Sequence, residues 1–146
     1  MYTRIALQLP RDASSVPLIR RLLDATLRTL GVVPQIRDDI QIILSEACSN
    51  VVRHAVPSVE YTVQAMVEDD RCVIEITDAG GGFDPGAVKP SSTVAENGRG
   101  LQIMRALADE LDVADVGGGT RVSVAKALHF CADAPAQSLH RPLARH

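Results

Sequence analysis

The residues of this chain that could do chemistry fall in three short segments. The first is Glu46-Ala-Cys-Ser-Asn50, followed by Val-Val-Arg53-His54. Glu46 and Asn50 are four apart, so on a helix they stand one turn above the other on the same face. A carboxylate and an amide oxygen so placed can orient a hydroxyl or a water and ligate a hard cation. Magnesium suits the pair, because it takes few protein oxygens and completes its shell with phosphates and water. A solvated pair on a helix flank has the same spacing. The second segment is Asp78-Ala-Gly80-Gly-Gly82-Phe-Asp84. An Asp at a strand end can accept a hydrogen bond from an exocyclic amine and so read adenine, while glycines beside it let the backbone approach a flat base. A glycine-rich turn whose Asp bonds its own backbone is the plainer alternative. The third segment, Gly98-Arg99-Gly100-Leu101, opens an apolar-periodic run. Bare amides at a helix N-terminus, aided by the dipole, make a phosphate site, and Arg99 can add a charged hydrogen bond. Each segment says little alone. The three together, in this order and spacing, point to a pocket for ATP and magnesium.

The elements that must position these residues can be read from periodicity. Thr3 to Leu9 is a short strand closed by Pro10. Ser14 or Ser15 can cap a helix with Pro17 in its first turn, and Val16, Ile19, Leu23, Leu27 and Leu30 recur at helical spacing until Gly31. A second helix runs from about Ile36 to His54, with Ile40, Ile43, Leu44, Ala47 and Val51 as its buried stripe and Pro57 beyond its end. Glu46 and Asn50 then lie about a quarter of the circumference from that stripe, at the rim of the core. From Val59 to Val67 apolar and polar residues alternate, Asp69-Asp70 makes a turn, and Cys72, Ile74 and Ile76 carry a return strand into Asp78. A Gly- and Pro-rich loop, 79–98, is long enough to be functional. Leu101, Met104, Leu107, Ala108 and Leu111 mark a third helix, and Val113–Val116 and Thr120–Ala127 form a closing hairpin around three glycines. Hairpin-linked strands with helices bunched between them predict an α+β two-layer sandwich, with helices on one face of a mainly antiparallel sheet. The N-terminal strand has no hairpin partner beside it in sequence and needs a neighbour or an edge. Residues 1–130 read as one domain and 131–146, rich in Ala, Pro, His and Arg, as a flexible tail.

Composition narrows the choice of partner. A chain of 146 residues, 46% apolar, can bury one core. Its net charge of −3, with two Tyr, two Phe and no Trp, offers neither the basic stripe nor the stacking aromatics of a nucleic-acid binder. No apolar run is long enough to cross a bilayer and no signal-peptide layout opens the chain, so a cytoplasmic location is expected. The three cysteines have no metal-ligand spacing and read as free thiols. No Gly-Lys-Ser/Thr or strand-linked G-x-G-x-x-G is present, which excludes Walker and Rossmann phosphate loops.

The chain resembles the histidine-kinase-like ATPase superfamily with the Bergerat fold over roughly residues 3–128. Glu46 to His54 is similar to its N box, Asp78-x-Gly80-x-Gly82 to its first glycine box and Gly98-x-Gly100 to its second. Asp38-Asp39-Ile40 before the N box and Gly-Arg-Gly-Leu with Met-Arg-Ala-Leu-Ala-Asp after it resemble, within that group, the bacterial anti-sigma-factor serine kinases. The resemblance implies that Asn50 ligates the magnesium and that Asp78 binds the adenine amine, with Thr120 supporting it through a water. Gly80 and Gly82 would make room for the base. Gly98 and Gly100 would hinge a lid over the triphosphate, with Arg99 and Leu101 beside them, and Glu46 would be the general base that deprotonates a substrate serine. The family's typical substrate is an anti-anti-sigma protein, and its other partner is a sigma factor held by a kinase homodimer. Around the lid only Lys89 and Arg99 are candidate charge neutralisers, and Arg53 and His54 receive no catalytic role. Three functions share these residues: a serine kinase, a nucleotide-binding switch that sequesters a partner without phosphotransfer, and an ATP hydrolase. The base at Glu46 favours the kinase over the switch, because nucleotide binding alone does not need it.

Overall fold

The computed structural model describes residues 2–54, 60–78, 98–116 and 119–132. Strand β1 (Tyr2–Pro10) is followed by helices α1 (Ser15–Leu30) and α2 (Pro34–His54), the hairpin β2 (Glu60–Glu68) and β3 (Arg71–Asp78), helix α3 (Gly98–Leu107), and the hairpin β4 (Glu110–Val116) and β5 (Gly119–Ala127). The strands form one antiparallel sheet in the order β1-β2-β3-β5-β4. The predicted α+β sandwich is therefore the observed architecture. The N-terminal strand finds its neighbour in β2, pairing from Tyr2↔Glu68 to Pro10↔Glu60, and its other edge has no strand beside it among the described residues.

Alternation along each strand sends one set of side chains into the core. Val63 faces Ile76, Ala65 faces Ile74, and these lie level with Val122 and Val124 of β5. All six are buried, beneath Ile19, Leu23 and Leu27 of α1, Ile40, Ile43, Leu44 and Ala47 of α2, and Met104 of α3. The helix stripes are thus the ones that the 3.6 period predicts. The β2–β3 turn falls at Asp69-Asp70 as expected, with Asp69 at φ 49°, a left-handed conformation that tight hairpin turns require and Asp tolerates. Gly31 ends α1 at φ 91°. Its N–H bonds the Arg28 carbonyl while that of Val32 bonds Leu27, which closes the last turn in a Schellman arrangement. Helix α2 begins at Pro34, two residues before the expected start, because proline is at home in a first helical turn and Val33 accepts the first helical bond from Arg37.

Two expectations fail. Neither serine caps α1 with its side chain: Ser14 stands at the cap without a side-chain bond, and Ser15 is buried with its hydroxyl turned to Tyr61 and the Asp12 carbonyl. Leu111 belongs to β4, not to α3. Its spacing of four from Leu107 imitates a helix, but the Asp109 N–H already bonds the Ala125 carbonyl and Leu111 pairs with Val124. At the other end of the domain Val32 bridges to Phe130 and the Cys131 N–H bonds Gly31, so the ordered backbone continues just past β5. Residues 133–146, most of the expected tail, lie outside the described residues.

Candidate nucleotide site

Helix α2 carries Glu46 and Asn50 one turn apart, both half-buried, on the flank that meets α3. Helix α3 starts at Gly98, and its third residue, Gly100, is buried. A Cβ added at Gly100 would stand 2.9 Å from Oε2 of Glu46 and 3.6 and 3.7 Å from Oδ1 and Nδ2 of Asn50. The first and third segments of the sequence therefore meet at position 100, where any side chain would have to turn the Glu46 carboxylate aside. Three things converge here: a carboxylate, an amide oxygen and the positive end of a helix whose first N–H groups have no intrahelical partner. Arg99 is exposed beside them, and Leu101 packs against the core, fixing the start of α3.

The second segment is only partly described. Asp78 ends β3 opposite Tyr61, and Thr77 pairs with Arg121, so the backbones of Asp78 and Thr120 reach the same end of the sheet. Gly80, Gly82, Lys89 and the remainder of 79–97 lie outside the described residues, as do the side chains of Asp78, Thr120, Arg53 and His54.

The donor set suits magnesium. Among the described residues no group of three or more His, Cys, Asp or Glu is placed to hold a metal ion. A site with one amide oxygen and one nearby carboxylate matches a cation that draws most of its shell from phosphate and water. Asn50 is the residue that would hold it, with the Glu46 carboxylate one turn away on the same helix.

Two features carry no sequence motif. Lys126 of β5 places its ammonium on the Leu107 carbonyl at the end of α3 and 3.3 Å from Oδ2 of Asp39 on α2. Beneath α2, Cys48 and Tyr61 are fully buried, the Tyr61 hydroxyl lies 2.6 Å from Ser15 Oγ, and burial pushes both the thiol and the phenol up to about 12. A Tyr at an inward position of an alternating strand is the signal that could have exposed the second, since a buried phenol needs a partner.

A profile of the histidine kinase-like ATPase domain matches residues 9–126. The chain belongs to that family. Curated relatives include the serine-protein kinase RsbW of Bacillus pumilus, 33% identical over 140 residues and 86% of each chain. The serine-protein kinase RsbW of Bacillus subtilis is 32% identical over 129 residues, 80% of this chain and 81% of that one. Among solved structures, the RsbU and RsbW domains of Rv1364c from Mycobacterium tuberculosis superpose with a TM-score of 0.68 at 20% identity, over 86% of this chain and 32% of that one. The SiaB–SiaC complex of Pseudomonas aeruginosa gives 0.59 at 17%, over 86% and 88%. Membership of the histidine kinase-like ATPase family implies ATP binding.

Proposed function

We propose that this chain is an ATP- and magnesium-dependent protein serine kinase that acts in the cytoplasm as an anti-sigma factor. It phosphorylates a serine of an anti-anti-sigma protein and sequesters a sigma factor. The observation that carries this reading is the contact of Gly100 with Glu46 and Asn50, which sets a candidate base and a candidate metal ligand against a phosphate-binding helix end. The relatives named serine-protein kinase support the reaction type.

In this reading Asp78 accepts from the adenine amine with Thr120 behind it, and Gly80 and Gly82 leave room for the base. Gly98, Arg99, Gly100 and Leu101 lie along the phosphates, and Asn50 holds the metal. Bound magnesium would offset charge on the phosphate oxygens. Glu46 accepts the serine proton as Oγ forms its bond to the γ-phosphorus, and the bond to the β-phosphate oxygen breaks to release ADP. Glu46→Gln keeps the shape of the site, so Mg-ATP binding should persist while transfer falls about 10²–10⁴-fold, the usual range for a lost general base. Asn50→Ala should abolish magnesium-dependent binding. The experiment is a timed phosphorylation with an anti-anti-sigma protein, beside a nucleotide titration of each variant. Equal transfer by wild type and Glu46→Gln would remove the base. No transfer by either would favour the switch that binds nucleotide and partner without chemistry.

The active form is a homodimer that buries part of β1 and α1. The edge of β1, which has no strand beside it among the described residues, and the exposed Tyr2, Leu18 and Leu22 support this pairing. Light scattering at tens of micromolar, roughly the range of a moderate-affinity dimer, should report twice the chain mass, and a monomer there would refute it.

A further inference from the structure

The inward row of β5 is apolar at Val122 and Val124 and then turns to lysine. Lys126 pairs with Cys72, itself buried on the inner face, so its side chain enters the layer between sheet and helices. There it is 14% exposed, with its ammonium on the Leu107 carbonyl that ends α3 and 3.3 Å from Oδ2 of Asp39 on α2. One cation on the sheet therefore holds two helices at once. An ammonium so covered is costly to leave unpaired, and it can donate three bonds but accept none. Every arrangement of α2 and α3 that takes either oxygen away from it is penalised. A valine, continuing the alternation of β5, would set no such condition.

The two oxygens lie at one end of a seam whose other end is the candidate site. Asp39, Glu46 and Asn50 follow at intervals of seven and four residues, so they share one stripe of α2, within about 20° of Asp39. Gly100 and Leu107 are likewise seven apart on α3. Gly100 stands against Glu46 and Asn50, whereas Leu107 shares Lys126 with Asp39. The two helices therefore run antiparallel and meet at two levels, roughly 10 Å apart. Two such levels fix the line of one helix along another. The fit at Gly100 is one of shape, while the link at Lys126 is ionic and directional. We propose that Lys126 is a positioning residue for the nucleotide site. It sets how α3 lies along α2, and so where the amides opening α3 stand relative to Glu46 and Asn50. The proposal rests on those two being the base and the metal ligand of that site.

Two variants of the full chain test it. Lys126→Met keeps the stem and removes both links. Asp39→Ala removes the link to α2 and leaves the ammonium on Leu107. Calorimetry below the unfolding transition should show Mg-ATP binding about three- to tenfold more weakly in each, the effect of losing one typical hydrogen bond. Adenosine, titrated by NMR, carries neither phosphate nor metal and should bind both variants as it binds the wild type. Amide hydrogen exchange across 101–107 without ligand should quicken by about the same factor in both, although Asp39 lies on the other helix. Wild-type Mg-ATP affinity in folded Lys126→Met overturns the proposal, as does an equal loss for adenosine, which would signify general loosening. An effect of Lys126→Met that Asp39→Ala does not share also overturns it, by reducing Lys126 to a cap on α3. A wild type that binds no Mg-ATP defeats the nucleotide reading instead. Quickened exchange in both variants then upholds the clamp between the helices, and unchanged exchange in Asp39→Ala removes it.

Discussion

Gly100 is the residue on which the two halves of the site depend. Its Cα lies so close to α2 that a methyl would stand 2.9 Å from the Glu46 carboxylate, inside van der Waals contact. The side chain it would meet has rotatable bonds, so Gly100→Ala should fold, with Glu46 turned aside or the start of α3 displaced by a few tenths of an ångström. Either response disturbs the proposed base and the proposed phosphate-binding amides together. We expect Mg-ATP to bind about tenfold more weakly, near 1.4 kcal/mol and within the range for overpacking a tight contact, and transfer to fall further because the base is misplaced. Calorimetry with single-turnover kinetics checks both, and wild-type values in both would mean that the contact is incidental. Glu46, Asn50 and Gly100 were all legible as types and spacings, since a helix fixes where i and i+4 point. The contact between them was not. Nothing in Gly98-Arg-Gly100 states which helix it touches, and nothing in a lone Ser15 tells a cap from a buried hydroxyl.

Among the elements, α3 is held at both ends by residues distant in sequence. Its start rests on α2 through Gly100, and its end is held by Lys126, which reaches from β5 to the Leu107 carbonyl and to Asp39. A cation at a helix C-terminus meets both the unpaired carbonyls and the negative end of the dipole. Lys126 is 14% exposed, so solvent replaces little of what it offers. Lys126→Met keeps the stem and removes the charge, leaving a carbonyl and a carboxylate without their donor. Urea unfolding should show a loss of about 1.5–3 kcal/mol, the range for hydrogen bonds to charged groups, whereas no loss would show that water takes over both bonds. The strands, turns and helix stripes were readable because their periods are local. The end of α3 was not, because Leu107 and Leu111 keep a helical interval across a break. The break is made by Asp109, whose N–H and carboxylate bond Ala125 and Ala127 of a strand that follows it in sequence.

At the scale of the whole molecule, a sheet covered by helices on one face concentrates its ionisable interior in a single layer. Cys48, Tyr61 and Cys72 all lie there, fully buried. Burial raises the two thiols from 9.0 and the phenol from 10.0 to about 12. The sign follows from linkage. The folded state holds these protons more tightly than the unfolded chain, so their contribution to stability is complete below the unfolded values. It is lost as pH rises from about 9 to about 12, where the unfolded chain has ionised and the core has not. Urea midpoints should therefore hold level to about pH 9 and then fall, each group steepening the slope by up to about 1.4 kcal/mol per pH unit. Cys72→Ala removes one of the three at the position of β3 that pairs with Lys126. It should be less stable at neutral pH, through the lost packing, yet show a shallower decline above pH 9 than the wild type. Parallel declines in the two proteins would mean that Cys72 ionises as readily inside the fold as outside it. The inner face of the sheet would then admit water, and a core that seals α2 against the sheet could not be what holds Glu46 and Asn50 in place.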